Sequence, residues 1–345
     1  MISKSPKITV LMPVYNCELY IKEAVDSILN QTFDDFEFLI IDDASTDKTV
    51  SIIKTYTDTR IQLIEKPVNT GYTNSLNHGL SIAKGEYIAR MDGDDISLPC
   101  RFEKQVAFLN ENKDVVLCGT ALKIIDSDKV ICYPEFHENI KLVMLTHNCI
   151  IHPSVMFRKS VLDYYSVKYD ISKEPAEDYN LWTKLLLYGK LYNFQEVLLH
   201  YRIHPSQVSQ KRKNIQIDSS IETQIQLLDN LKLKYDKLLI TSILKKVFED
   251  KTFFLHEEIV FFNKLKKNLL LANSSQFFEP VGFENYLNKI ESKIVKCYFL
   301  KRERYDPSII FKYFLLKRSL SKSFSLKQEL KLLFKSIIFW NVKKI

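Results

Sequence analysis

The sequence predicts an α/β fold, a doubly wound and mostly parallel sheet with flanking helices, followed by a mainly α-helical C-terminal region. Three features carry this reading. Apolar runs and helix-spaced stretches alternate over roughly the first 95 residues, the order that winds helices over both faces of a parallel sheet. The runs are apolar throughout, as strands covered on both faces are. Composition then changes: residues 1–210 hold 22 Lys+Arg and 28 Asp+Glu, whereas 211–345 hold 27 and 14 and a single glycine, Gly282. A chain of 345 residues is long enough for two cores, so two domains are expected, 1–210 and 211–345, joined near "VSQKRKNIQ".

The elements follow in order. "KITVLMPVYN" is a β-rich run closing on a polar turn, and "LYIKEAVDSILNQ" places Tyr20, Ile21, Ala24, Val25, Ile28 and Leu29 at helical spacing. "FEFLIIDD" is a buried strand, residues 47–56 are a helix begun by "STD", and "RIQLIEK" is a strand. "NTGYTNSLNHGLSIAKG" is a helix capped by Asn69 or Thr70 and stopped at Gly85. "EYIARMD" is a strand, "RFEKQVAFLNEN" a helix, "DVVLCGTALKIID" a long strand and "SVMFRK" a short one. "EDYNLWTKLLLYG" is a helix opened by Glu177 and Asp178, "YNFQEVLLHYRIHPS" closes the acidic half, and 215–345 reads as mostly helices.

Composition excludes several classes. A hydrophobic content of 46% and charged content of 26% belong to a globular chain with a core, not a disordered one. The six cysteines, Cys17, Cys100, Cys118, Cys132, Cys149 and Cys297, show neither C-x-x-C pairs nor Cys/His metal spacing. That pattern points to a reducing, cytoplasmic compartment. "MISKSPKITV" enters a strand without an apolar leader core, and no uncharged apolar run approaches the ~18 residues of a spanning helix. The expectation is a protein that is soluble or lies on a membrane surface without crossing it.

Chemistry concentrates in "IARMDGDDISLP", residues 88–99. If the segment is extended, Asp92 and Asp94 face the same way. Two carboxylates with Asp95 beside them suit a hard divalent cation, Mn²⁺ or Mg²⁺, whose open positions take phosphate oxygens. The plain alternative is a solvated polar turn. Asp43 ends a strand at the same sheet edge, where ligands of open α/β sheets bind. Its carboxylate can accept the imide N–H of uracil or thymine, or it can cap the helix near Asp47, although Asp42 or Ser45 could do that capping instead.

Six segments in order, "VLMPVYN", "AVDSILNQTFDDFEFLIIDDASTDKT", "NTGYTNSLNHGLSIAKGEYIARMDGDDISLPCRFEKQ", "HPSVMFRK", "EDYNLWTKL" and "YRIHPSQVS", resemble the family 2 glycosyltransferases, inverting nucleotide-sugar enzymes of the GT-A fold. The resemblance spans residues 7 to about 210 and leaves 211–345 uncovered. It implies that Pro13, Tyr15 and Asn16 line the nucleotide, that Asp43 binds the base, and that Asp92-Gly93-Asp94 is the D-x-D motif, with Asp94 the direct metal ligand and Asp92 beside it. It implies Asp178 as catalytic base, with Glu177 the neighbouring alternative, and brings Arg202 and His204 towards the donor diphosphate, a role that suits the planar fork of an arginine. His152 and Arg101 are weaker candidates, and Arg90 and Arg101 could simply neutralise the aspartates. Ala44 stands where the family more often has Gly, and Cys100 where Asn or Asp is commoner. The expected function is transfer of a sugar from a nucleotide donor, UDP favoured and dTDP or GDP open, to a glycan or lipid-linked glycan of a capsule, O-antigen or exopolysaccharide. A non-catalytic scaffold of the same fold is the alternative. A sugar nucleotidyltransferase is disfavoured because "PVYNCELY" lacks a glycine loop for phosphate.

The C-terminal "SLKQELKLLFKSIIFWNVKKI" places Leu326, Leu330, Leu333, Phe334, Ile337 and Ile338 on one helical stripe flanked by Lys327, Lys331 and Lys335, with Trp340 near the end. From Lys312 onward there are nine Lys+Arg and one Glu. This fits a helix lying in an anionic membrane interface, on the inner face of the plasma membrane. The alternatives are packing within the domain or a homodimer. No segment resembles a nucleic-acid-binding module.

Overall fold

The computed structural model describes residues 5–205, 207, 212–248, 254–302, 304–318 and 320–339. The chain divides into two compact units, Met1–Ser220 and Ile221–Ile345. The division falls inside helix α8 (Lys213–Asp229), a little beyond the joint expected at 210. Of that joint, residues 208–211 lie outside the described residues, as does Trp340.

The first unit is built on one mixed sheet. Its strands are β1 (Ile8–Val14), β2 (Phe36–Asp42), β3 (Ile61–Glu65), β4 (Tyr87–Arg90), β5 (Ile96–Ser97), β6 (Val115–Ile124), β7 (Val130–Ile131), β8 (Met156–Arg158) and β9 (Lys190–Tyr201). Their order is β3-β2-β1-β4-β8-β6-β9-β5, with β7 on β6. β3, β2, β1 and β4 run parallel, Ile8 lying opposite Phe36 and Tyr87. β8 is antiparallel to both β4 and β6, and β5 and β7 are antiparallel to their partners. The expected doubly wound sheet is therefore the first half of a mixed one. Strand direction in the second half depends on where the chain re-enters the sheet, which no local residue pattern encodes.

Every residue of β1 and β2 is buried, which explains runs that are apolar without alternation. Helix α1 (Ile21–Leu29) lays Ile21, Ala24, Val25 and Ile28 against them. Each large side chain so buried stabilises the fold by roughly 1.5–3 kcal/mol. Helix α2 (Thr49–Ile53) is shorter than expected, and Asp47 caps its start by accepting Thr49 N–H at 2.9 Å.

Helix α3 (Tyr72–Ile82) begins with Gly71 at the cap, at φ 92°, rather than with Asn69 or Thr70. Its cap is supplied from a distance by Asp43, as described below. Nor does Gly85 stop this helix. A Cβ there would meet Thr9 N at 2.3 Å, so the glycine serves the close approach of this loop to β1. Helices α4 (Arg101–Glu111), α5 (His137–Val143), α6 (Lys159–Tyr165) and α7 (Glu177–Leu185) complete the unit.

In the second unit, the described residues form α9 (Lys237–Phe248), α10 (His256–Ala272), α11 (Pro280–Leu300), α12 (Pro307–Lys317) and α13 (Leu326–Ile337). Starts are capped by Glu279, Asp306 and Ser325. Phe262, Leu269, Phe278, Phe283, Phe299 and Tyr313 fill its core. Its buried charges are paired, Lys246 with Glu258 at 2.7 Å and Lys266 with Glu291 at 3.1 Å. Among the described residues, no helix is long and apolar enough to cross a membrane.

Candidate active site

The acidic cluster sits just past the end of β4. Gly93 and Asp94 form a turn, so the expectation of an extended segment with alternating faces is corrected. The turn brings the aspartates together instead, and it draws in the third. One carboxylate oxygen from each of Asp92, Asp94 and Asp95 lies within 4.8 Å of the others. Gly93 allows it: a Cβ there would stand 3.0 Å from Val14 Cγ1 and 3.3 Å from Cys17 Sγ.

Such crowding raises the cost of ionisation. Burial pushes the Asp94 carboxyl up, the Asp92 charge adds to it, and a hydrogen bond from His204 opposes it. Burial pushes Asp95 well above the usual carboxylate range, with the charges of Asp94 and Asp92 adding and the Arg202 N–H opposing. Asp95 is fully buried, and its Oδ2 has no hydrogen-bond partner.

Two arginines and a histidine reach this cluster. Arg90, buried at the end of β4, ion-pairs with Asp92. Burial alone would depress its guanidinium; Asp92 reverses that and holds it charged. His204 Nε2 lies 2.8 Å from Asp94 Oδ2. Arg202 donates its backbone N–H to Asp95 Oδ1 at 2.8 Å, Nε to the Asp94 carbonyl at 2.9 Å and Nη2 to Glu23 at 2.6 Å, over the Tyr20 ring. Arg202 and His204 thus brace the aspartate turn itself. Fully buried, Arg101 donates Nη2 to the carbonyls of Arg90 and Val155 and Nε to Gln105, which ties β4 to α4.

Asp43 is almost fully occupied. Its Oδ1 accepts from Lys66 Nζ at 2.5 Å and Thr70 N–H at 3.0 Å, and its Oδ2 from Gly71 N–H at 2.8 Å. A carboxylate has about four acceptor positions, so a further one remains on Oδ2. Asp43 therefore caps α3 rather than α2, while Asp42 Oδ2 accepts Ser45 N–H as expected of the loop before α2. Of the segment expected to line the nucleotide, Pro13 is buried inside β1, whereas Tyr15 and Asn16 are exposed. Asn16, at φ 52°, accepts Thr46 N–H at 2.8 Å and donates its own N–H to Ser45 Oγ at 2.9 Å. It joins the loop after β1 to the loop after β2. Ala44 sits at φ 63°, a left-handed conformation that explains why glycine suits this position.

Glu177 and Asp178 open α7 and part company. Glu177 is 3% exposed, accepts the Tyr72 hydroxyl at 2.7 Å and lies 3.9 Å from His152 Nδ1. Burial, with the Asp178 charge, pushes its carboxyl up to about 8. His152 is sealed beside it, with Nε2 2.8 Å from the Tyr169 hydroxyl and Trp182 edge-on. These contacts join Glu177 and His152 in one buried network with Tyr72, Tyr169 and Trp182. Asp178 is half-buried. Its Oδ1 accepts Tyr179 N–H at 2.6 Å and its Oδ2 accepts Asn148 Nδ2 at 2.8 Å. Burial pushes its carboxyl up to about 6, held down by the Tyr179 N–H and the Arg90 charge, while Asp92 raises it. Asp178 and the acidic cluster therefore lie within electrostatic reach of one another.

Comparison with known proteins fits this arrangement. The family model for Glycosyl transferase family 2 matches residues 9–165. The chain is 37% identical over 232 residues to the putative glycosyltransferase EpsE of Bacillus subtilis, covering 64% of this chain and 81% of that one. The chain belongs to the family 2 glycosyltransferases. Another relative, the O-antigen biosynthesis glycosyltransferase WbnJ of Escherichia coli, is 34% identical over 207 residues, 57% of this chain and 80% of its own. The S. aureus TarS 1-349 structure in complex with UDP-GlcNAc shares the fold, with a TM-score of 0.57 at 17% identity, covering 93% of this chain and 94% of that one. The chain is thus a glycosyltransferase built on the GT-A fold. Within this family 2 site, sequence reasoning missed Lys66, Asn148 and Tyr72. Each acts through a partner distant in sequence, and only the position of Lys66 directly after a strand could have hinted at its role.

Proposed function

We propose that this glycosyltransferase inverts, moving a sugar from a nucleoside-diphosphate donor, UDP-linked before dTDP- or GDP-linked, to a hydroxyl of a glycan or lipid-linked glycan in surface polysaccharide synthesis. One observation carries the reading: a half-buried carboxylate, Asp178, shares its electrostatic neighbourhood with Arg90 and Asp92 of the acidic cluster. Asp178 takes the proton of the acceptor hydroxyl. The acceptor oxygen bonds to the anomeric carbon from one face while the bond from that carbon to the diphosphate breaks on the other. The electron pair of that bond leaves with the nucleoside diphosphate. Asn148 and the Tyr179 N–H fix the carboxylate for this task, and a positioned base contributes roughly 10²–10⁴-fold in rate.

The cluster suits a divalent cation. Its donors are all carboxylate oxygens, they converge within 4.8 Å, and one buried oxygen, Asp95 Oδ2, is unpartnered. Asp94 and Asp92 would hold Mn²⁺ or Mg²⁺. A metal bound there supplies positive charge to the departing diphosphate. Arg202 and His204 hold the turn that presents these oxygens. The remaining acceptor position of Asp43 takes a base N–H, and the exposed Tyr15 and Asn16 border the nucleotide. Support for the substrate class comes from the relatives, one of them named for O-antigen biosynthesis, and from TarS, which was solved with UDP-GlcNAc. On this reading the protein works in the cytoplasm, at the inner face of the plasma membrane where lipid-linked glycans are presented.

Titration calorimetry with UDP, dTDP and GDP, each with and without Mn²⁺, tests it on the wild type and on Asp94→Asn. Binding of one nucleotide that needs both Mn²⁺ and Asp94 is expected. Metal-independent binding of equal strength in Asp94→Asn would overturn the metal assignment. A folded protein that binds no nucleotide and hydrolyses no donor would favour the scaffold.

A further inference from the structure

Helices α12 and α13 each have an inward face. Ile309 and Tyr313 of α12, and Leu332 and Ser336 of α13, are buried. On α13 the inward face is the narrow, mixed one. The wide apolar stripe points outward. Phe311, Leu315, Leu326, Phe334, Ile337 and Phe339 are each between 60% and 73% exposed, with Leu330 and Leu333 filling the stripe between them. An amphipathic helix of a globular protein does the reverse and turns its apolar stripe to the core. A contiguous exposed apolar patch of this kind marks a surface that meets something else.

Charge says what that is. From Lys312 to Phe339 there are seven basic residues and one acid, Glu329. The acid is spent internally, pairing with Lys317 at 2.7 Å and accepting the Tyr313 hydroxyl at 2.7 Å. Arg318, Lys322, Lys327 and Lys331 are exposed. A two-fold dimer through this patch would place it against its own copy, setting lysine against lysine around the apolar contact. An anionic lipid surface offers the opposite charge to the lysines and hydrocarbon to the stripe.

We infer that α12 and α13 dock this protein on an anionic membrane, with Phe311, Leu315, Leu330, Phe334 and Ile337 entering the interface and Lys327 and Lys331 meeting the headgroups. Such helices lie in the interface plane with their apolar face some 5–10 Å deep. The inference rests on the proposed lipid-linked acceptor for its purpose, but not for its evidence.

The test is flotation of the full-length protein with phosphatidylcholine vesicles, with and without phosphatidylglycerol, in the absence of donor and acceptor. Binding is expected to vesicles containing phosphatidylglycerol and to weaken at high salt. Lys327→Gln with Lys331→Gln should reduce it about thirtyfold, from the roughly fivefold each basic residue contributes at an anionic surface. Phe334→Ser with Ile337→Ser should abolish it. These side chains are exposed, so circular dichroism and nucleotide binding are expected to stay at wild-type values. Equal binding to both vesicle types, or no loss in the apolar pair, would overturn the inference. So would light scattering that shows a dimer dissolved by Phe334→Ser with Ile337→Ser, without lipid binding. Because nucleotide binding is read separately, failure on vesicles leaves the transferase reading standing.

Discussion

The two units of this chain break the inside-out rule in opposite directions. The sheet unit buries charge: Asp43, Arg90, Asp95, Arg101 and Glu177 are all under 9% exposed. The helical unit exposes hydrocarbon along α12 and α13. Burying a charge and exposing an apolar face are both costly, and buried polar groups and large exposed apolar patches are the informative departures. The helical unit shows what a settled exception looks like. Lys266 and Glu291 are buried but satisfy each other, and they call for no outside partner. The acidic cluster is different, since Asp95 Oδ2 has none. On the reading proposed above, the unsettled exceptions mark where each unit meets another molecule, a cationic or phosphorylated one in the sheet unit and a lipid surface in the helical unit.

The contrast is sharpest within the pair that opens α7. Asp178→Asn should keep nucleotide affinity and lower transfer by about 10²–10⁴-fold. Glu177→Gln keeps an acceptor for the Tyr72 hydroxyl and should cost less than about tenfold, because the side chain is buried against Tyr72. Transfer assays on both variants read the difference, and an equal loss would return Glu177 to the chemistry. The same assignment fixes a pH dependence. The base works as the carboxylate, and burial has pushed Asp178 up to about 6. Turnover should therefore rise roughly tenfold per pH unit below that value and level off above it. A profile flat from pH 5 to 7 would exclude Asp178 as the base.

Helix α13 carries the second contrast, between neighbours two residues apart. Leu332 is fully buried, so Leu332→Ala should cost about 2–5 kcal/mol in a urea titration of the helical unit. Leu330 lies on the outward stripe, and Leu330→Ser should change the midpoint by no more than about 0.5 kcal/mol. If the serine costs as much as the alanine, the stripe is packed within the chain and the comparison of the two units fails.

These contrasts also show what the residues alone could tell. The parallel half of the sheet was legible because β1 and β2 are mostly apolar and buried at every position. The clustering of Asp92 and Asp94 was legible because the two stand one residue apart in the sequence. The reason given for Asp92 and Asp94 was wrong, since a turn and not a pleat brings them together. The partners of Asp43 were hidden because Lys66 and Gly71 lie 23 and 28 residues away. The antiparallel β8 and the separation of Glu177 from Asp178 were hidden for the same reason. Both depend on what the fold places nearby, and burial, not chemistry, divides two adjacent carboxylates. The stripe on α13 was legible as a stripe, but which way it faces is a property of the packed domain.

The smallest expected effect concerns Ala44, between the buried Asp43 and the loop that Asn16 braces. Its φ of 63° costs an L-residue roughly 1–2 kcal/mol, while a glycine there would give back about 0.5–1 kcal/mol through the greater freedom of its unfolded chain. Ala44→Gly should thus stabilise the sheet unit by about 0.5–1 kcal/mol, a rise of roughly 2 °C in its melting temperature for a unit of this size. Asp43 keeps its three donors, so nucleotide affinity should not change. A fall in melting temperature would mean that the half-buried Ala44 methyl contributes packing worth more than the strain. The loop after β2 would then be held by apolar contact, as the helical unit is, and not by the polar network from Asp42 to Asn16.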